Sequence, residues 1–319
     1  MNNRIIGNSK IIFEAIKKHD NIVVFHHTRP DGDCLGSQAG LAQMIRLNWP
    51  NKKVYVVGSN YENFHFLQWH FDPIESIDFT NSLAIVVDVS QPDRIENQEL
   101  FMSDKFNARA RIDHHEVKEN EIYKYSWVDP DAAAAGEMVA QFAYEQKLKM
   151  DSEAALKTYL AIMTDSNRYQ YSGARQMTQT YGSWLLQFDF DVNNLYLNLY
   201  KKTLKGIQFS GYVLSNFEVH NKILVFKASR ELQEKFQMSE TEIASYNNVL
   251  ANIEDYTIWL FLVEQEDKSW RVRMRSTGPE LHEIAAEFRG GGHAKASGAT
   301  LIDIETELPL MINKLSNIQ

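Results

Sequence analysis

Aspartate and histidine recur in four short stretches: His26-His27-Thr28-Arg29-Pro30-Asp31-Gly32-Asp33, Asp88, Asp113-His114-His115 and Asp165. Mixed carboxylate and imidazole donors without thiolates suit Mn²⁺, Fe²⁺ or Mg²⁺ better than a structural zinc. Two such ions roughly 3.5–4 Å apart can activate a water and hold the entering and leaving oxygens of a phosphoryl displacement. Carboxylates as close as Asp31 and Asp33 repel one another unless a cation lies between them. Taken alone, that first stretch reads equally well as a solvated turn with Asp33 capping a helix. Asp165 alone reads as a polar residue at a helix end.

The elements around these residues favour the chemical reading. Residues 21–25, 54–57, 83–87 and 108–112 are short apolar runs of strand length, and 35–47 has apolar residues at helical spacing. Continuous rather than alternating apolar runs indicate strands buried on both faces, as in a parallel sheet. Strands alternating with helices indicate a doubly wound, mainly parallel α/β domain. Such sheets bind ligands beyond the carboxyl ends of their strands. Three of the four runs deliver Asp or His just past their last apolar residue, which capping alone does not explain. Residues 132–147, 152–163 and 176–188 read as further helices, with Asp151 or Ser152 capping the second.

The chain has 319 residues, 33 Lys+Arg and 42 Asp+Glu, for a net charge of −9. This length suggests about two domains. The expected division is 1–190 for the metal-bearing domain, 191–210 for a helical or extended linker, and 211–319 for a smaller α+β domain. Hydrophobic residues make up 44%, enough for a core in each half. No apolar run approaches the ~18 residues of a membrane span, and no apolar leader segment is evident. The single cysteine, Cys34, excludes an intramolecular disulfide and reads as a small buried residue. A cytoplasmic protein is the expectation. The acidic balance argues against coating long duplex nucleic acid, and leaves room for a local cationic pocket.

The second half supplies such a pocket. With period 2, Arg271, Arg273 and Arg275 share one face of a strand over 270–276, opposite Trp270, Val272 and Met274. An arginine face on an edge strand is commonly just solvated. Here Arg289, His293 and Lys295 add cations beside Gly290-Gly291-Gly292, whose backbone can approach an anion closely. Tyr169 and Tyr171 can stack bases, although tyrosines in such positions more often pack.

In order, His27 to Asp33, Asp88, Asp113-His114-His115 and Asp165 resemble the four motifs of the DHH phosphoesterase superfamily. Gly290 to Gly298 resembles the signature loop of the DHH-associated domain, so the resemblance covers nearly the whole chain. The two-domain chain without added modules is similar to the NrnA group, which acts on very short RNAs and on 3′-phosphoadenosine 5′-phosphate (pAp). Similar proteins cleave linear pApA made from cyclic di-AMP. The resemblance implies two divalent cations, manganese foremost. His27, Asp31 and Asp88 match the ligands of one; Asp33, Asp88, His114 and Asp165 match those of the other, with Asp88 bridging. It implies that His115 faces the substrate phosphate and protonates the leaving oxygen, and that Asp113 orients the histidines. Arg275, Gly291, Gly292 and His293, with Arg273 and Arg168, match substrate-binding positions, holding short RNA or small adenine nucleotides.

His26 falls one position off the metal motif and reads as structural. Asp165-Ser166-Asn167-Arg168 departs from the commoner Asp-Thr-Gly-Arg. Arg289 stands where a small residue is frequent, which suggests a tuned specificity. Pyrophosphatases and exopolyphosphatases share the metal motifs, but the pyrophosphatases lack the Gly-Gly-Gly-His loop. RecJ-type exonucleases share both signatures and are usually longer. A noncatalytic nucleotide sensor is disfavoured because every metal-matching position remains Asp or His. A homodimer is compatible with this organisation.

Overall fold

The apolar runs of the first half form a five-stranded sheet: β1 (Asn21–Phe25), β2 (Lys53–Val56), β3 (Ser82–Val87), β4 (Ala108–Asp113) and β5 (Tyr125–Val128). The order is β2-β1-β3-β4-β5 and every pairing is parallel. In this computed structural model, residues 5–60, 64–117, 120–171 and 173–318 are described. Two units divide the chain, Met1–Tyr200 and Lys201–Gln319. Among the described residues, no helix is long and apolar enough to cross a membrane.

Successive side chains of the central strands point to opposite faces, and both faces are covered. Ile22, Val24, Leu83, Ile85, Val87 and Ile112 join one apolar cluster. Val23, Phe25, Ala84 and Val86 join another with Phe101 and Phe106. Each fully buried aliphatic side chain contributes about 1.5–3 kcal/mol. The helices are α1 (Ser9–Lys18), α2 (Gly32–Asn48), α3 (Gln98–Met102), α4 (Ala135–Glu145), α5 (Ser152–Asp165), α6 (Gln176–Leu185) and α7 (Val192–Leu199). Strand β5 escaped the sequence reading because Tyr-Ser-Trp-Val is short and not an apolar run.

Helix α2 starts earlier than its apolar spacing indicates, because Asp31 rather than Asp33 is its N-cap. One Asp31 oxygen accepts from the backbone N–H of Asp33 and of Cys34, both at 3.1 Å. Helix α5 is capped by Asp151 and ends on Asp165 itself. Gly32, Gly36 and Gly40 lie one turn apart along the α2 face that meets α5. A Cβ on Gly36 would stand 2.3 Å from the Lys157 carbonyl oxygen, and one on Gly40 2.2 Å from Thr158 Oγ1. The absence of side chains there lets the two backbones touch, which sets the ends carrying Asp33 and Asp165 together.

In the second unit, β6 (Glu218–His220), β7 (Ile223–Ala228), β8 (Ile258–Glu264), β9 (Trp270–Ser276), β10 (Gly291–His293) and β11 (Ala296–Leu301) form a mixed sheet of order β10-β11-β9-β8-β7-β6. Only β7 and β8 pair in parallel. Its helices are α8 (Leu204–Asn216), α9 (Arg230–Phe236), α10 (Glu240–Ala244), α11 (His282–Glu287) and α12 (Ile304–Ser316). The stretch 191–207 is mostly helical, with Asp191 capping α7 and Thr203 capping α8. The glycine-rich segment is a short strand rather than a loop, with Gly292 opposite Ser297.

Gly36→Leu forces a side chain into a backbone carbonyl that cannot retreat. It should cost roughly 1–3 kcal/mol or more, read as a lower urea midpoint. It should also lower turnover per folded molecule, because α2 and α5 each carry an aspartate of the site described next. Unchanged stability would show that the helices separate freely.

Candidate metal centre

The strand order sets β1, β3 and β4 side by side, so their carboxyl ends open onto one place. The chain order reverses between β1 and β3, the switch point where such sheets form a crevice. His27 follows β1, Asp88 follows β3, Asp113 ends β4, and His114 and His115 come next. Asp88 has φ 57°, a left-handed conformation uncommon outside glycine, and its N–H donates to the Ile112 carbonyl at 3.0 Å. This ends the strand sharply and leaves the side chain buried.

Two imidazoles are held by their Nδ1 atoms. His27 Nδ1 lies 2.9 Å from the Thr28 carbonyl, and His114 Nδ1 lies 3.3 Å from the Ala132 carbonyl. A carbonyl only accepts, so each Nδ1 carries the hydrogen and Nε2 of the neutral ring presents a lone pair. His27 Nε2 then faces Asp88 Oδ2 at 3.4 Å and Asp31 Oδ2 at 3.6 Å. His114 Nε2 faces Asp88 Oδ1 at 3.3 Å, Asp165 Oδ2 at 3.4 Å and Asp33 Oδ2 at 3.7 Å. Such contacts are held together only by a cation between the two atoms, either a proton on Nε2 or a metal ion in its place. Neighbouring donors around an octahedral cation with ~2.1 Å bonds stand ~3 Å apart. Buried Asp88 Oδ1 accepts no hydrogen bond. The donor set therefore fits divalent cations.

The donor atoms fall into overlapping groups in which all members lie within 4.8 Å of one another: His27, Asp31, Cys34 and Asp88; Asp88, His114 and His115; and Asp33, His114 and Asp165. Asp88 belongs to the first two. All six residues expected as ligands are thus brought together. Cys34 joins them in space, although it is fully buried and burial pushes its thiol up to about 12.

The charges are strongly interdependent. Burial raises Asp33, and the carboxylates of Asp88 and Asp165 raise it further. Burial raises Asp165 to about 6, opposed by His114 and reinforced by Asp88. Burial would also raise Asp88, but the close imidazoles of His114 and His27 hold it below the usual carboxylate range. Burial would lower His27 and His114; their aspartate neighbours instead hold both above the usual range. Asp33 gains further support because the first turn of α4 donates to it, Ala135 N–H at 2.7 Å and Gly136 N–H at 2.9 Å. A helix N-terminus favours a carboxylate in this position.

His115 is held differently. Its Nδ1 lies 2.8 Å from Oδ1 of the fully buried Asp113. His26 is buried against Gly58 and Phe71 and its Nδ1 donates to its neighbour's carbonyl at 2.7 Å; burial lowers it to about 4. Asn167, Arg168 and Tyr169 all have φ between 46° and 64°. Asparagine tolerates this region better than most residues, which accounts for Asn167 standing where glycine is commoner. Arg168 is exposed, with its guanidinium 4.8 Å from the Tyr200 ring centre. Tyr169 packs partly against the core and Tyr171 is exposed.

In the second unit, Arg273 and Arg275 are half-buried on the β9 face opposite Val272 and Met274. Gly291 has open space where a Cβ would stand. Gly292 has φ 131° and no room beside Ala296 O, so only glycine fits. The His293 backbone lies in β10; its side chain falls outside the described residues. Arg289 donates from Nε to the Thr300 carbonyl at 3.0 Å and pairs with Glu307 in the first turn of α12.

The sequence reading missed the backbone groups of 132–136, because their alanines carry no side-chain chemistry and only Gly136 breaks the run. It also missed Glu137, a buried glutamate in the first turn of α4.

The DHH family N-terminal domain matches residues 21–164, and the DHHA1 domain matches 220–318. The chain belongs to the DHH family of phosphoesterases, which are metal-dependent hydrolases. It is 41% identical over 290 residues to the bifunctional oligoribonuclease and PAP phosphatase NrnA of Mycoplasma pneumoniae, covering 90% of this chain and 89% of that protein. It is 30% identical to the NrnA of Bacillus subtilis, covering 91% and 92%. Among solved structures, an exopolyphosphatase-related protein from Bacteroides fragilis shares the fold, with TM-score 0.84, 22% identity and 98% of each chain covered.

Asp165→Asn removes a charge from the crowd while keeping the shape of the side chain. In chelator, its melting temperature should equal or exceed that of the wild type. The rise in melting temperature on adding Mn²⁺ should shrink, since a more weakly bound ligand stabilises the folded state less. A lower midpoint in chelator together with an undiminished Mn²⁺ response would contradict the ligand role.

Proposed function

We propose that the chain hydrolyses short oligoribonucleotides, pApA and pAp to mononucleotides, using two divalent cations with Mn²⁺ foremost. The observation that carries this reading is Asp88, a buried carboxylate whose two oxygens face two different histidines, His27 and His114. His27, Asp31 and Asp88 would hold one cation; Asp33, Asp88, His114 and Asp165 would hold the other. Bound there, the cations would supply Lewis acidity and lower the pKa of a water to near neutrality.

The remaining roles belong to the chain. Asp113 fixes His115 through Nδ1, so the ring passes a proton from Nε2, toward the oxygen that leaves phosphorus. In the second unit, Arg273 and Arg275 would take a substrate phosphate or ribose, and Gly291 and Gly292 would let the backbone of β10 approach it, with His293 beside them. Arg168 offers a guanidinium plane on which a base can stack. The 30–41% identical relatives named as oligoribonuclease and PAP phosphatase support this substrate class. A net charge of −9 disfavours long polyanions.

Three measurements check the reading. Asp88→Asn should abolish turnover at micromolar Mn²⁺ while circular dichroism stays unchanged, and His115→Ala should lower kcat about 10²–10⁴-fold while keeping Mn²⁺ affinity. If His115→Ala loses bound metal while His114→Ala keeps it, the two histidines have exchanged roles. RNAs of two to five nucleotides and pApA should be consumed much faster than a strand of about 24 nucleotides. Equal rates would favour a processive single-strand exonuclease instead.

A further inference from the structure

Four consecutive alanines, 132–135, lead into helix α4, with Ala134 at the N-cap. Alanine is a poor cap, and no side chain of Ala134 closes this helix end. Yet this short segment touches the metal centre twice. The Ala132 carbonyl fixes the His114 ring, and the N–H groups of Ala135 and Gly136 hold the Asp33 carboxylate. Something other than the alanines must hold the segment in place.

Glu137 does so. It is 2% exposed, and its Oε2 accepts two hydrogen bonds, from Ala133 N–H at 2.8 Å and from Thr178 Oγ1 at 2.8 Å. The first resembles half of a capping box, with a glutamate in the first helical turn reaching back to an otherwise unpaired N–H. The second ties the segment to α6, where Thr178 Oγ1 in turn accepts from Arg175 N–H at 2.9 Å. The Arg175 guanidinium stands 3.7 Å from Oε1. At its other end the segment is pinned by Asp129 N–H on the Asp113 carbonyl, 3.1 Å away.

We propose that Glu137 is a positioning residue for the metal centre: by holding Ala133, it sets the distance between the carbonyl that orients His114 and the amides that hold Asp33. This rests on the ligand roles proposed for Asp33 and His114. Glu137 does not touch substrate or cation; it acts through the backbone on either side of Ala133. Both of its strong contacts converge on one oxygen, so an amide that keeps this oxygen as acceptor should replace it.

The test measures Mn²⁺ affinity by calorimetry on the full chain, with melting temperature and kcat recorded for each variant. Glu137→Ala should weaken Mn²⁺ binding about 10–100-fold, the usual effect of removing a group that orients a ligand. Glu137→Gln should stay close to wild type, and Thr178→Val should fall between. Ile12→Ala, a core truncation in α1, should lower melting temperature without weakening Mn²⁺ binding by the folded protein. If Glu137→Ala fails to fold, Thr178→Val carries the test. The proposal is overturned if Glu137→Ala or Thr178→Val melts lower but binds Mn²⁺ as tightly as wild type. It is equally overturned if Ile12→Ala loses as much affinity, or if Gln is as damaging as Ala. Asp33→Ala separates the two layers of the argument. If it keeps wild-type affinity, the ligand assignment itself has failed; if it loses affinity while Glu137→Ala does not, only the role of Glu137 falls.

Discussion

Mutual repulsion among Asp31, Asp33, Asp88 and Asp165 is the constraint around which the first unit is built. Folding must gather these carboxylates with the cation absent, and burial makes the charges of Asp33, Asp88 and Asp165 harder to keep. The structure offsets the repulsion with a different device for each. One oxygen of Asp31 caps α2. Asp33 sits on the N-terminal amides of α4. Asp88 lies between two imidazoles, and Asp165 faces His114. What these devices leave uncompensated is a standing attraction for a divalent cation.

The fold serves this gathering at three levels. The strand order brings β1, β3 and β4 together, so three strand ends share one mouth. The glycine face of α2 lets that helix lie against α5, so residues far apart in sequence, Asp33 and Asp165, both reach His114. The alanine segment before α4 then supplies backbone donors and an acceptor without intruding side chains. A larger residue at Gly36 and a missing carboxylate at Glu137 would thus disturb the same place from different directions, one through helix separation and the other through the segment that orients His114.

Much of this was legible in the sequence where chemistry is carried by side chains. The runs at 21–25, 83–87 and 108–112 show their burial on both faces directly, and each is followed by Asp or His, so the sheet edge and its histidines and aspartates could be located. The capping residue was misplaced because Asp31 and Asp33 are equally good caps by type; only the helix start shows that Asp31 fills the role and frees Asp33 for α4. Strand β5 was missed because its pairing with β4 supplies what its composition lacks. The pairing of Arg289 with Glu307 had no local signal, because the two lie 18 residues apart in sequence. The amides of Ala135 and Gly136 have no sequence signal, since every residue carries them and only the tertiary approach of Asp33 gives them a task.

The central claim is that Asp88 joins two cation positions. Diffraction from crystals grown with Mn²⁺, with anomalous differences collected above and below the manganese edge, addresses it directly. The account predicts two manganese peaks roughly 3.5–4 Å apart, with one oxygen donor of Asp88 directed to each or one oxygen shared, His27 at the first and His114 at the second. A single peak, or two peaks of which only one touches Asp88, would contradict it.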